Sequence, residues 1–413
     1  MLKTHHTLVV ARTLLLLSVA GAGCSGGTSR DSGIVARGDL SAFSEEPLYK
    51  DTLHLVEDLR VGVADGDVNY VFSEIRSLAV GPAGDIYVFE PSVGIRHYDP
   101  SGTYVGLVAG LGQGPEEVRG VISMAVSPSD VLAAYDLGNA RVMELEPGRP
   151  GHTFRRPEGA PRYGEDALVY HRDGSLWIGI NPPFPEVGGI AHPRPIFARV
   201  DPAAGLINTI FTPSESSEGC PEQSAWIYVG GFWEDKREPW VPKVKWALGP
   251  DGVLAVGCPA DYTFQVLHSD GTRTHVTRGW TPTFAPEEEL RFFQTWGNMP
   301  PLPRQRPAYT KILVPGDGQI WVWRSGPNSV QELDPERSAR TGETSMWVIA
   351  TTGAFDVFDV EGHWLGVVDL PPGVRYSGFP VTPPIVIRGD TVWAVAWDSS
   401  DVEYVVRYHV QWP

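Results

Sequence analysis

The chain has 413 residues, 42% of them hydrophobic, and a formal net charge of −17 at pH 7. That apolar fraction can build a large core, and the acidic balance lacks the basic footprint of a nucleic-acid binder. Its 46 glycines and 37 prolines fall mostly between apolar runs, so the chain reads as turn-rich rather than disordered.

Lys3 and Arg12 flank a basic start, followed by a short apolar run at 13–20 (TLLLLSVA) and the small residues Gly21, Ala22 and Gly23 before Cys24. The run is too short for a stable membrane span and reads as a cleavable export signal over 1–23. The Gly-Ala-Gly-Cys ending resembles a bacterial lipoprotein signal, with Gly21 where that family usually has Leu, Val or Ile. The resemblance implies lipidation of Cys24, and Ser25 after it implies an outer-membrane anchor; ordinary secretion is the alternative. Residues 24–50 are small, polar and charged, as a flexible tether would be, which leaves 51–413 as the folded domain.

Residues 51–63 (DTLHLVEDLRVGV) carry the alternating pattern of a strand. One figure then recurs six times: an apolar strand, a turn rich in Gly, Asp, Pro and Ser, and a second apolar strand. KILVPGDGQIWVW at 311–323 is the clearest copy, and the others begin at Ser77, Ser123, Ala167, Lys245 and Pro384. Each reads as a β-hairpin, because glycine and aspartate tolerate the positive φ of tight turns. The equivalent residues Leu78, Met124, Leu168, Trp246, Ile312 and Ile385 lie 46, 44, 78, 66 and 73 residues apart. A base period of about 45 residues is that of a four-stranded propeller blade. The expected fold is therefore an all-β, six-bladed β-propeller with insertions after blades 3, 4 and 5. Only one strand, near 403–410, follows the last hairpin, so the strand at 53–61 is expected to close the ring.

The first insertion, 212–242, contains Cys220 and the aromatic residues Trp226, Trp233 and Trp240. The second has helix signals over 285–297: Pro286 in the first turn, three glutamates at the positive end of the dipole, and Gly297 at the end. The third, 325–345, is polar and reads as a loop over one mouth of the ring. In an exported chain the even pair Cys220 and Cys258 reads as a disulfide, the alternative being two separate buried thiols. No histidine sits at zinc-ligand spacing beside either.

AGLGQGPEEVRG from Ala109, followed by SMAVSPSDVLAAY, resembles the G-x-GPxEF link between blades of NHL-type propellers, with Val118 where Phe is common. PEEEL, PAYTKILVPGDGQIWV, FDVFDVEGHWLGVVDLP and VVRYHV look like the six-bladed NHL-like and TolB-like propeller lipoproteins of environmental bacteria. The resemblance spans 53–410 and implies the fold. It implies no activity, since one propeller scaffold hosts unrelated chemistries.

The sequence has no G-x-S-x-G, H-E-x-x-H or P-loop motif. DGDVN at 65–69 imitates the start of a calcium loop, but Tyr70 stands where glycine is expected, and a plain turn is the simpler reading. The six-bladed lactonases hold calcium at the central mouth with ligands from inner-strand starts. Here those starts supply Glu74, Arg76, Glu165, Asp166, Lys243, Lys245 and Lys311, a candidate ligand site. Glu74, Glu165 and Asp166 could converge on a cation, but the lysines raise its electrostatic cost, and salt-bridging explains the mixture equally well. Trp226, Trp233, Trp240, Trp280 and Trp296 form a second candidate surface, against the alternative that they seal the insertions onto the propeller. No catalytic residue, resident metal or cofactor is assigned. The expectation is an extracytoplasmic, lipid-anchored binding or scaffolding module for a protein or envelope glycan, touching membrane through its lipid alone and not nucleic acid. A calcium-dependent hydrolase or lyase at the central mouth is the alternative.

Overall fold

Each repeated hairpin forms the inner half of an antiparallel sheet, and six such sheets are the blades of a β-propeller. The structure, a computed structural model, describes residues 39–146, 151–155, 168–180, 196–201, 205–211, 220, 226–229, 232–235, 242, 244–287, 290, 304–332, 347–374, 377–379 and 384–412. The innermost strands are Ser77–Val80, Val121–Val126, Leu168–Tyr170, Lys245–Leu248, Lys311–Leu313 and Ile385–Arg388. All run the same way along the central axis. Because strands alternate in direction, the first-to-second and third-to-fourth turns lie on one face, here the bottom. The second-to-third connections and the links between blades lie on the top. The bottom turns are tight: Gly318, at φ 73°, holds a conformation that side-chain-bearing residues rarely adopt.

Apolar residues run almost continuously along the inner strands, as in Ile86–Glu90 and Leu132–Asp136 where every residue is buried, because both faces of a blade meet a neighbour. Between blades 5 and 6, Trp321, Trp323 and Phe355 pack against Val392, Val406 and Tyr408. Between blades 4 and 5, Phe264 and Tyr309 meet Phe358. Each core is therefore shared, and a blade is stable only beside its neighbours. No helix among the described residues is long and apolar enough to cross a membrane.

The N-terminal segment closes the ring as expected. His54–Val61 pairs antiparallel with Glu403–Gln411 and becomes the fourth strand of blade 6. A bulge at Asp58 interrupts that ladder, and bulges re-aim side chains. The Asp58 carboxylate accepts from Arg407 Nε at 2.9 Å and Nη2 at 2.8 Å, and lies 3.1 Å from His409 Nε2. The segment before this strand departs from the tether reading. Asp39–Ser44 pairs in parallel with Arg273–Arg278 as a fifth strand of blade 4. The N–H groups of Leu48, Tyr49 and Leu53 then donate to Trp364, Leu365 and Val367 of blade 5. One strap thus crosses three blades, and its pairing answers outer edges that polar composition alone left unassigned.

The insertions differ in detail from expectation. The third lies within blade 5 and begins as strand, not loop: Asn328–Glu332 pairs with Trp347–Thr351 as an extension of Gln319–Glu332 and Trp347–Asp359. In the first, Trp226–Val229 and Phe232–Asp235 form a separate hairpin. Cys220 and Cys258 are joined, tying this insertion to blade 4. Of the helix expected over 285–297, only the start is described, where Leu290 N–H donates to Pro286 C=O at 3.1 Å. The DGDVN segment is a turn, with Asp67 Oδ1 accepting from Asn69 N–H at 3.0 Å.

Arg407 holds the Asp58 carboxyl below the usual carboxylate range. A lowered folded value means stability that is complete above the unfolded pKa and lost as pH falls through the folded one. Asp58→Asn is expected to lower the thermal midpoint at pH 7 by roughly 2 °C. In a pH series of thermal melts, the gap from wild type narrows as pH falls below the ordinary Asp value of about 3.9 and closes once pH has passed the lowered folded value of Asp58, where both carry a neutral side chain.

Candidate functional site: the top face and central channel

The six innermost strands are each the end member of their sheet, so each presents an unpaired edge to the axis. Such edges carry main-chain donors and acceptors that need partners. Ser123 Oγ supplies one across a blade boundary, accepting from Leu168 N–H at 3.2 Å. Together the strands enclose a channel of ≈ 230 Å³, with Arg76 and Lys311 among its lining at the top and Pro250, Pro315 and Arg388 at the bottom. Its wall combines aliphatic side chains, such as Leu78, Met124 and Ile385, with strand backbone.

The strand starts place several expected residues at one mouth. Arg76 and Glu74 form an ion pair there. Lys245 and Lys311 open the inner strands of blades 4 and 5, and both are half-buried. Glu165, Asp166 and Lys243 lie outside the described residues. The carboxylate of Glu74 is therefore committed to a guanidinium rather than standing alone. Among the described residues, no three His, Cys, Asp or Glu side chains come together as metal ligands would.

Of the aromatic set, Trp280 is half-buried and packs against the core between blades 4 and 5. Trp226 and Trp233 fall in the insertion hairpin, in register with Asp235 and Tyr228 respectively. Trp240 and Trp296 lie outside the described residues. Chain connectivity nevertheless says which face the insertions serve. The first leaves blade 3 after Phe211 and rejoins at Lys245, and the second leaves blade 4 after Arg278 and rejoins at Lys311. The third extends a second-to-third connection. All three therefore depart from the top.

Buried charges that the sequence motifs do not mark lie beneath this face. In blade 1, Glu90, 1% exposed, accepts from the N–H groups of Ser73 at 2.7 Å and Glu74 at 3.3 Å, and pairs with Arg96 at 2.7 Å. It thereby fixes the link that presents Glu74 and Arg76. Asp136 does the same in blade 2, accepting from Gly120 N–H at 3.0 Å. Blade 5 has the pair reversed. Arg324 stands two residues beyond Val322, which opposes Asp356, as Glu90 stands two beyond Val88, which opposes Arg96.

The reversal places a carboxylate, Asp356, inside the seam with blade 4. Its Oδ2 lies 2.6 Å from Arg324 Nε and 3.4 Å from Arg278 Nη1, and accepts from the Tyr262 hydroxyl at 2.5 Å. The Arg278 guanidinium also sits 3.8 Å over the Trp364 ring. Burial pushes the Asp356 carboxyl up and the Arg278 guanidinium down, each opposed by the other's charge. The Arg324 side chain, 35% exposed, carries positive charge toward the top. An acid in the strand FDVFD was the available sequence signal, because it interrupts an otherwise apolar core strand.

No family model matches the chain, and no curated protein matches it by sequence. Among solved structures, a member of the DUF4221 family from Bacteroides vulgatus aligns at 12% identity over 87% of this chain and 98% of its own, with a TM-score of 0.54. A protein described as exported, from Bacteroides fragilis, aligns at 10% over 91% of this chain and 100% of its own, with a TM-score of 0.47. Virginiamycin B lyase from Staphylococcus aureus, in a catalytically inactive form with quinupristin, aligns at 10% over 85% and 98%, with a TM-score of 0.41. Of these three, the first supports the fold, and none speaks to activity.

Asp356→Ala would leave Arg278 and Arg324 without their shared counter-charge. It is expected to cost about 3 kcal/mol in urea unfolding, and adding Arg324→Met should recover part of that loss.

Proposed function

We propose that the protein is an extracytoplasmic binding or scaffolding module, anchored through a lipid on Cys24, whose working surface is the top face. The observation that carries this reading is the departure of all three insertions from that face, around a channel mouth bearing Arg76, Lys245 and Lys311. The top carries the long insertions, which vary in shape and chemistry, beside short turns, whereas the bottom has no insertion among the three. Lys245 and Lys311 at the mouth, beside the Arg76–Glu74 ion pair, favour partners rich in acceptor oxygens, such as an envelope glycan or an acidic protein segment. The Cys220–Cys258 bond is in keeping with an oxidising compartment. The calcium-dependent hydrolase reading needs carboxylates at this mouth. Glu165 and Asp166 fall outside the described residues, and Glu74 is engaged by Arg76.

The test is retention of defined envelope glycans and acidic envelope proteins on the immobilised full chain. Replacing residues 226–235 with a Gly-Ser linker, or combining Lys245→Glu with Lys311→Glu, is expected to abolish retention. Glu361→Ala, on an exposed bottom turn, should leave it unchanged. Retention that survives both top-face changes would contradict the proposal.

A further inference from the structure

A second cluster lies at the opposite end of the molecule, where blade 6 meets blade 1 on the bottom face. A cleft there is lined by the Gly81–Pro82–Ala83–Gly84 turn of blade 1 and by Arg388, Thr391, Trp393, Arg407 and His409 of blade 6. Strand register explains why these blade 6 residues share a face: Arg388 opposes Thr391, Thr391 opposes His409, and Trp393 opposes Arg407. Residues directly opposite in a sheet project to the same side.

The donors of this cleft differ in how far the protein satisfies them. Arg407 is held by Asp58 and by Pro100 C=O, at 3.0 Å, and His409 lies against Asp58 with Nδ1 4.0 Å from Asp390. Arg388 is different. Among the described residues its guanidinium makes no hydrogen bond and no ion pair, although it is half-buried where the cleft meets the bottom of the channel. Its counter-charges, Asp317 and Asp130, act on it only at longer range. Asp317 itself accepts from Gly389 N–H at 2.8 Å and lies 3.9 Å from Arg172. Trp393, 5% exposed, is a second wall of the cleft, and among the described residues its buried indole N–H has no acceptor. Among the described residues the charged donor in the cleft, Arg388, thus lacks an acceptor, and so does the indole N–H enclosed behind the Trp393 wall. Buried donors in native proteins are nearly always satisfied.

We infer that this cleft is a binding site for a small carboxylate monoanion, with Arg388 as its principal anchor and the Trp393 ring as a wall that reports occupancy. The planar fork of a guanidinium matches two carboxylate oxygens. Charge around the cleft selects a monoanion over a dianion, because Asp58, Asp390, Asp130 and Asp317 surround it and would repel a second negative charge. The inference is independent of the top-face reading. It would give the closure seam a ligand that bridges blades 6 and 1.

The test uses the full chain labelled with ¹⁵N-tryptophan. The Trp393 indole resonance is assigned through Trp393→Phe and followed during titration with sodium acetate, against sodium chloride and sodium sulfate at matched ionic strength. The expected result is a saturable shift with acetate and a weaker response to sulfate. Arg388→Lys, which keeps the charge but loses the fork, should raise the acetate dissociation constant by about tenfold. A linear shift, or one reproduced by chloride, would overturn the inference using wild-type protein alone. A saturable shift unchanged in folded Arg388→Lys would overturn the role of Arg388.

Discussion

The hydrogen-bond ladder between His54–Val61 and Glu403–Gln411 is the constraint on which the rest of the molecule depends. Each core of a propeller is shared between two blades, so an open ring would expose apolar surface on both sides of the gap as well as a strand edge. The chain spans that gap with residues from near both of its ends. Loop-closure entropy opposes such a contact, and local structure does little to favour it. Several interactions offset that cost: the bulge that aims Asp58 at Arg407, the contacts of residues 48–53 along blade 5, and the parallel strand Asp39–Ser44 on blade 4. Glu403, at the start of the strand that pairs with the closing strand, also accepts from Ile75 N–H at 2.6 Å. Closure and presentation of the blade 1 mouth are thereby linked.

The two faces follow from strand direction. With every inner strand starting at the top, all three expected insertions leave from the top, beside short turns such as those between Glu90 and Gly94 and between Asp136 and Arg141. The top carries Arg76, Lys245 and Lys311 on rigid strand starts, supported below by buried carboxylates such as Glu90. The bottom is nearly all short turns, yet it contains Arg388, a cation that the surrounding aspartates approach but do not bond. Burial lowers its pKa, as expected for a guanidinium removed from water without a close counter-charge.

What the sequence made legible was local. Hairpins such as KILVPGDGQIWVW announce themselves because turn chemistry and the apolar runs that flank it are written within a dozen or so residues. The blade count and the closing strand followed from spacing and from a final blade one strand short. The strap at 39–53 did not follow, since parallel pairing to a distant edge needs no turn signal and tolerates polar composition. The disulfide could be read from two cysteines, whereas the ion pair of Glu74 with Arg76 required geometry. Asp356 and Arg324 were hidden for another reason. Exchanging acid and base between the second and third strands of a blade leaves the hairpin pattern intact, and only register reveals the reversal. The Arg388 cleft belongs to two blades at once, so no single repeat contains it.

Native-state hydrogen exchange across the closing strand is the most direct measurement of the central claim. If this strand holds the ring shut, the bonded amides of His54–Val61 should exchange only through global opening, as slowly as those of Thr391–Trp397 in the same blade. Exchange orders of magnitude faster in His54–Val61, with the rest of blade 6 still protected, would contradict the account. It would mean that the ring stays closed without the N-terminal strand.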